Sequence, residues 1–272
     1  MTAIALPDGA TRLIPIVGDP IAQVKSPSGI TAALQARGMN AYVMPVHVGA
    51  ADVDTCLDGL SLVRNIDAIL ATVPHKFSVF RHAATATPRA TLLQAANVLR
   101  RNADFTWHAD MLDGIAFVTA LRDAGCAPAG QRALLVGAGG AGAAIALALL
   151  DAGVAALGIH DADKVRRDDL LRRLAPRGAG RLLEGSVDPS GFDIIANATP
   201  AGMRDDDPLP IQTAFLTAAM TVGDVITVPE VTPLLAAARA IGCRTSTGVA
   251  MFTAGRDLIM AFLAGGQGPC GG

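Results

Sequence analysis

Residues 134–142 read Leu-Leu-Val-Gly-Ala-Gly-Gly-Ala-Gly, an apolar run that ends in glycines spaced G-x-G-x-x-G. No other stretch restricts the fold as strongly. A strand buried on both faces, a tight turn and an immediate helix start are the opening of a βαβ unit in a parallel sheet. Gly137 permits the turn, Gly139 lets backbone approach a pyrophosphate, and Gly142 lets helix and strand pack closely. The helix start, with Gly140 and Ala141 in its first turn, offers unpaired N–H groups and a positive dipole end to phosphates. A dinucleotide is the expected ligand. Asp161 follows Gly142 by nineteen residues. There a carboxylate accepts hydrogen bonds from a ribose 2′-hydroxyl and repels a 2′-phosphate. Its neighbours His160, Ala162 and Asp163 include no arginine, so NAD is expected over NADP. Lys164, Arg166 and Arg167 lie close enough to leave NADP open.

Apolar β-type runs alternate with helical stretches along the rest of the chain. Strands are expected at Leu13–Val17, Ala41–Val48 and Ile66–Val73, with helices at Ser28–Arg37 and Ala50–Leu60. This βαβαβ order implies a parallel sheet. A second series follows Trp107, with strands at Ala133–Val136, Ala155–His160, Asp193–Ala196 and Thr221–Ile226. Its helices are expected at Gly140–Leu150, Lys164–Leu174 and Pro233–Ile241, and a last one at Ala250–Leu263. The fold class is therefore α/β, with an N-terminal α/β domain and a Rossmann domain. The junction is expected near Phe105–Asp113, giving domains 1–105 with 246–272 and 106–245.

Half the residues are apolar and 17% are charged, which suits buried sheet layers rather than disorder. The net charge of −2, with no basic run longer than an arginine pair, argues against nucleic-acid or anionic-membrane partners. The richest apolar stretch, Gly142–Val154, is too short to span a bilayer. Residues 1–12 lack the pattern of a secretory signal. Cys56, Cys126, Cys243 and Cys270 show no metal-like spacing, so reduced thiols, no metal and a cytoplasmic location are expected.

Further motifs lie in a fixed order along nearly the whole chain. They are Gly18-Asp19-Pro20-Ile21 leading to Ser26-Pro27, then Thr72-Val73-Pro74-His75-Lys76, Ala95-Ala96-Asn97 and Asp113-Gly114. After the glycine turn come Asn197-Ala198-Thr199-Pro200-Ala201-Gly202-Met203, Asp224 with Pro229, Thr232-Pro233-Leu234-Leu235, and Gly248 with Met251. In this order the chain resembles the shikimate dehydrogenase family. The resemblance implies a substrate domain, a Rossmann domain, a cleft between them and a final helix that returns to the first domain. It implies NAD(P)-linked oxidation of a CH–OH group, a place in aromatic amino acid biosynthesis, and a monomer or homodimer.

By the same resemblance Lys76 is the acid/base and Asp113 its orienting partner. Hydride transfer from an alcohol needs a group that takes the hydroxyl proton as the carbonyl forms and returns it in reverse. Ser26, Thr72 and Asn97 are implied to bind substrate. Asn197, Thr199, Pro200, Met203, Gly248 and Met251 are implied to line the cofactor. His75 reads as a helix-start residue.

The chain departs from the family where polar groups would face substrate. Val24 replaces the first serine of a Ser-x-Ser pair, and Met111 and Leu112 replace an asparagine and a threonine. Thr227 stands for a tyrosine, Gly255 for a glutamine, Leu70 for an asparagine and Val98 for a threonine. Shikimate and quinate are the leading substrates. The alternatives are the same chemistry on a less hydroxylated compound, or a catalytically silent NAD-binding regulatory protein.

Overall fold

The computed structural model describes residues 5–204 and 206–265 of the chain. Cys270 lies outside the described residues; Cys56, Cys126 and Cys243 are free thiols. Among the described residues no helix is long and apolar enough to cross a membrane. The chain forms two compact units, residues 5–112 with 256–265 and residues 113–255.

The first unit holds a six-stranded sheet. Its strands are β1 (Arg12–Gly18), β2 (Ala41–His47), β3 (Ala68–Ala71), β4 (Thr85–Ala86), β5 (Val98–Arg101) and β6 (Trp107–Asp110), in spatial order β2-β1-β3-β5-β6-β4. Helices α1 (Ser26–Gln35), α2 (Val53–Leu62), α3 (Lys76–Arg81) and α4 (Pro88–Leu93) connect them. The β1–β2 and β1–β3 pairs are parallel, as the βαβαβ pattern implies. The sheet as a whole is mixed, which corrects the all-parallel expectation: β5 runs antiparallel to both β3 and β6. The short hairpin of β5 and β6 has no helix between its strands, so alternation of helix and strand does not reveal it.

The core of this unit unites sheet residues Val17, Ile69, Leu99 and Trp107 with Val53 and Leu57 of α2 and Val79 of α3. Arg101 is buried at this core. Its Nε donates to the Ile66 carbonyl at 2.7 Å, Nη1 to Ser61 at 3.0 Å and Nη2 to Val63 at 3.2 Å, while the guanidinium lies 4.1 Å from the Trp107 ring centroid. One cation thus satisfies carbonyls at the end of α2 that the helix itself leaves unpaired.

The second unit begins with α5 (Asp113–Asp123) and carries a parallel six-stranded sheet. Its strands are β7 (Arg132–Val136), β8 (Ala156–His160), β9 (Leu182–Glu184), β10 (Ile194–Asn197), β11 (Thr221–Asp224) and β12 (Arg244–Ser246). Helices α6 (Gly140–Asp151), α7 (Lys164–Gly178), α8 (Pro233–Ile241) and α9 (Gly248–Ala264) follow. The order β12-β11-β10-β7-β8-β9 runs outward from β7 in both directions, which is the Rossmann arrangement. Leu134, Val136, Ile195 and Val222 of the sheet pack with Leu234, Leu235 and Ala238 of α8. Helix α7 continues past its expected end at Leu174, through Pro176, to a left-handed cap at Ala179.

The later half of α9 belongs to the first unit. There Arg100 Nη1 donates to the Phe262 carbonyl at 2.8 Å, its guanidinium sits 4.8 Å from the Phe262 ring, and His108 stacks on the same ring. Burial, and then the charge of Arg100, push the His108 imidazole below its ordinary range.

Candidate active site

In an open α/β sheet the crevice lies beyond the C-terminal ends of strands, where the strand order reverses. In the first unit that point falls between β1 and β3. The antiparallel hairpin brings the start of β5 and the end of β6 to the same edge. Thr72 leaves the end of β3, with its N–H on the Val17 carbonyl of β1 at 3.0 Å. Lys76 is the first residue of α3 and is half-buried. Its carbonyl accepts the Ala96 N–H at 2.9 Å, which ties the helix start to the turn before Asn97. Asn97 is buried at the start of β5: its carbonyl accepts the Ala71 N–H, its N–H donates to the Asp110 carbonyl, and its Oδ1 accepts the Leu112 N–H at 2.9 Å. The chain then enters Asp113, the first residue of α5. Ser26, half-buried, opens α1 beyond β1. Thr72, Lys76 and Asn97 are thus stitched together through backbone at one edge, with Leu112 held to Asn97.

Two residues behind this edge were not foreseen as part of it. Asp110 is buried, and its Oδ1 accepts the Thr87 hydroxyl at 2.6 Å, the Arg89 Nε at 2.7 Å and the Met111 N–H at 2.7 Å. Arg89 Nη2 reaches its Oδ2 at 2.5 Å. The only sequence signal for this pair is a carboxylate at the end of an otherwise buried strand. His75 occupies the N-cap position of α3 and is buried, with Nε2 2.6 Å from the Val48 carbonyl. A carbonyl only accepts, so Nε2 carries the proton in that bond.

Four of the positions expected to depart from the family, Leu70, Val98, Met111 and Leu112, are packed apolar groups at this edge. Met111 and Leu112 are buried, and Leu70 and Val98 face each other directly across the β3–β5 ladder. Two separate substitutions are therefore one cross-strand contact. Val24 and Thr227 are half-buried, and a Cβ on Gly255 would lie 3.3 Å from that of Ala116.

In the second unit the reversal falls between β7 and β10. Gly137 has φ +102°, and a Cβ there would lie 2.8 Å from the Ala198 carbonyl carbon. A Cβ on Gly142 would collide with the Gly137 carbonyl, whereas one on Gly139 would meet open space. The three glycines thus divide into a turn, an open approach and a close packing. Gly140 and Ala141 are half-buried in the first turn of α6. A phosphate-bearing ligand fits this cradle, since open space at Gly139 adjoins the start of α6, where a helix leaves its first N–H groups unpaired.

Asp161 directly follows β8 and has little exposure. Its Oδ2 accepts the Ala138 N–H at 2.7 Å and its Oδ1 the Asp163 N–H at 2.8 Å. Arg166 lies 3.7 Å from Asp161 and 3.6 Å from Asp163, one cation against two carboxylates.

Thr199 and Met203 are half-buried and Pro200 exposed in the loop after β10. Asn197, at the end of β10, is fully buried; its amide nitrogen donates to Asp224 of β11 and to the Ala201 carbonyl, and its oxygen accepts the Thr199 hydroxyl. Gly248 is buried where a Cβ would strike the Ile226 carbonyl, and Met251 follows in the first turn of α9. Asp224 is fully buried beside Asn197, and burial pushes its carboxyl up even though four groups donate to it.

Comparison with known proteins bears on both edges. The family model for the shikimate dehydrogenase substrate binding domain matches residues 16–99, and that of the ThiF family matches residues 129–177. Shikimate dehydrogenase (NADP(+)) of Rubrobacter xylanophilus is 34% identical over 250 residues, covering 90% of this chain and 87% of that protein. Quinate dehydrogenase from Corynebacterium glutamicum, solved in complex with NAD, is 25% identical with a TM-score of 0.83 and 94% of each chain covered. The 5-ketofructose reductase of Gluconobacter sp. strain CHM43 is 26% identical with a TM-score of 0.79, covering 94% of this chain and 93% of that one. With two α/β units of this topology and a relative of this identity over nearly its full length, the chain belongs to the shikimate dehydrogenase family and is an NAD(P)-dependent oxidoreductase acting on CH–OH groups.

Proposed function

We propose that this protein interconverts a secondary alcohol and a ketone on a small cyclic carboxylic acid, shikimate or quinate, with NAD as the preferred dinucleotide. The observation that carries the proposal is the gathering of Thr72, Lys76 and Asn97 at the reversal point of the first sheet. Lys76 takes the hydroxyl proton as the carbonyl forms and returns it in the reverse direction, and Asp113 orients the reacting group. Asn97, Thr72 and Ser26 hold the substrate oxygens.

Gly137, Gly139, Gly140, Ala141 and Gly142 cradle the pyrophosphate. Thr199, Pro200, Met203, Gly248 and Met251 border the nicotinamide end, with Asn197 behind them. The bound dinucleotide supplies the acceptor or donor of the hydride. Preference for NAD is supported by Asp161 and Asp163, whose two carboxylates exceed the single charge of Arg166 and repel a 2′-phosphate. The relatives named for NADP(+) set the opposite expectation, so cofactor choice is part of the test. A reducing cytoplasm suits the free thiols.

A second reading is favoured by the buried Met111 and Leu112 and by the Leu70–Val98 contact, which remove polar groups from this edge. It keeps the chemistry and replaces the substrate with a less hydroxylated compound. A protein of the same fold is named for a different substrate, 5-ketofructose.

Initial rates with shikimate and with quinate, each offered NAD and NADP, test the proposal. NAD-linked turnover of either acid is the expected result. Asp161→Asn should then move the NAD-to-NADP ratio of kcat/KM toward NADP by about tenfold, the effect of one repulsive charge. Silence with both acids while NAD still binds transfers the case to the second reading, and NADP-only turnover overturns the cofactor choice.

A further inference from the structure

We infer that Asp224 is a positioning residue for the dinucleotide: its buried carboxylate anchors the Asn197 amide at its nitrogen end and, through it, the loop over residues 197–203. The inference rests on the dinucleotide reading of this crevice, and it is independent of which alcohol is the substrate.

Asp224 ends β11 directly opposite Asn197 of β10 in the parallel ladder. No part of either residue reaches solvent. The Asp224 Oδ1 accepts the Asn197 Nδ2–H at 3.2 Å and the Ile226 N–H at 3.0 Å, and its Oδ2 accepts the Thr232 hydroxyl at 2.8 Å. An ionised carboxylate only accepts. Asn197 must therefore turn its amide nitrogen toward Asp224 and its carbonyl oxygen away. That oxygen then accepts the Thr199 N–H at 3.1 Å and the Thr199 hydroxyl at 2.7 Å, and the Thr199 Oγ1 in turn accepts the Ala201 N–H at 3.2 Å. Every bond in the series points the same way: Asp224 holds its buried end, and the Thr199 N–H and the Ala201 carbonyl, 3.4 Å from the same amide nitrogen, hold it from the loop side.

The loop so held lies against the glycine turn. A Cβ on Gly137 would come within 2.9 Å of the Ala198 carbonyl oxygen and the Thr199 methyl group, so a loop that relaxes toward β7 takes up the space the glycine opens. The same Oδ1 of Asp224 also holds the N–H of Ile226, whose carbonyl is the atom that excludes any side chain at Gly248. One carboxylate thus anchors the backbone of two segments that border the crevice.

Stability alone does not explain the group. A buried carboxylate costs desolvation, and an apolar residue of similar volume is often neutral or stabilising in its place. A directional network is what a carboxylate adds and an apolar residue cannot.

Asp224→Asn keeps the shape but replaces the charged acceptor with a neutral amide, which weakens the hold on Asn197. The expected result without any dinucleotide is amide exchange of Thr199 and Ala201 faster by about tenfold, the loss of roughly one hydrogen bond's worth of protection. NAD binding, measured by titration calorimetry without substrate, should weaken by about tenfold. Thr232→Val should move both readouts the same way by a smaller factor, and Thr232→Ser should restore them. The Thr232 pair decides the matter if Asp224→Asn does not fold. A role confined to stability would lower the Tm of Thr232→Val and leave exchange in the loop and NAD affinity as in the wild type, which overturns the inference. A wild-type protein that binds neither NAD nor NADP overturns this inference together with the cofactor reading.

Discussion

The two crevices are built at equivalent places, beyond the reversal point of an α/β sheet, yet they are encoded differently. The second unit writes its crevice into nine consecutive residues, 134–142, with local geometry that any similar turn would share. The first unit assembles its edge from four places, at the end of β3, the start of α3, the start of β5 and the end of β6. What joins them is a few long-range hydrogen bonds: Ala96 to Lys76, Asn97 to Asp110 and Leu112 to Asn97. A ligand common to many proteins can be met by a portable turn. A particular substrate needs side chains from distant segments, and those are free to change without disturbing the scaffold, as Val24, Met111 and Leu112 have done.

The comparison breaks most sharply at Lys76. Lys76→Ala should lower kcat by about three orders of magnitude, the usual scale of a lost acid/base group, while NAD binds as in the wild type. Steady-state rates with a calorimetric NAD titration check this, and unchanged turnover would remove Lys76 from the mechanism. Damage of the opposite kind comes from Arg101→Met. It strands the carbonyls of Ser61, Val63 and Ile66, and should cost the first unit about 3 kcal/mol in urea unfolding. Domain-resolved exchange should show the loosening in the first unit before the second.

The smallest effect is a pH dependence confined to the first unit. The folded His108 holds its proton less tightly than an unfolded histidine with its ordinary value of 6.5. As pH falls through 6.5 toward the lower folded value, the unfolded chain binds more protons, so stability is lost in that window. His108→Phe keeps the stack on Phe262 and should flatten the Tm-against-pH curve between pH 7 and 5. A slope equal to that of the wild type would assign the effect to another group.

The elements most legible in the sequence are those whose reason is local. Helix α8 is found at its expected residues, Pro233–Ile241, because Thr232 caps it, Pro233 opens it and Gly242 closes it. The glycine turn is equally local. The hairpin of β5 and β6 and the short helix α4 escaped notice, and of α3 only the start at His75 was legible, because six residues or fewer carry too little periodicity to read. The network around Asp110 and the one around Asp224 escaped for a different reason. A carboxylate in sequence looks the same whether it meets water or three buried donors.

Periodicity, glycine spacing and motif order were enough to establish two α/β units, a dinucleotide turn and a family, since each depends on contacts between near neighbours in the chain. The tertiary structure alone decided which groups face one another: that Leu70 meets Val98, that Asp161 accepts from Ala138 and Asp163, and that Asp224 accepts from the Asn197 amide. Those pairings join residues up to 28 positions apart, as Leu70 and Val98 are, and only strand register and sheet order bring them within hydrogen-bonding or packing distance.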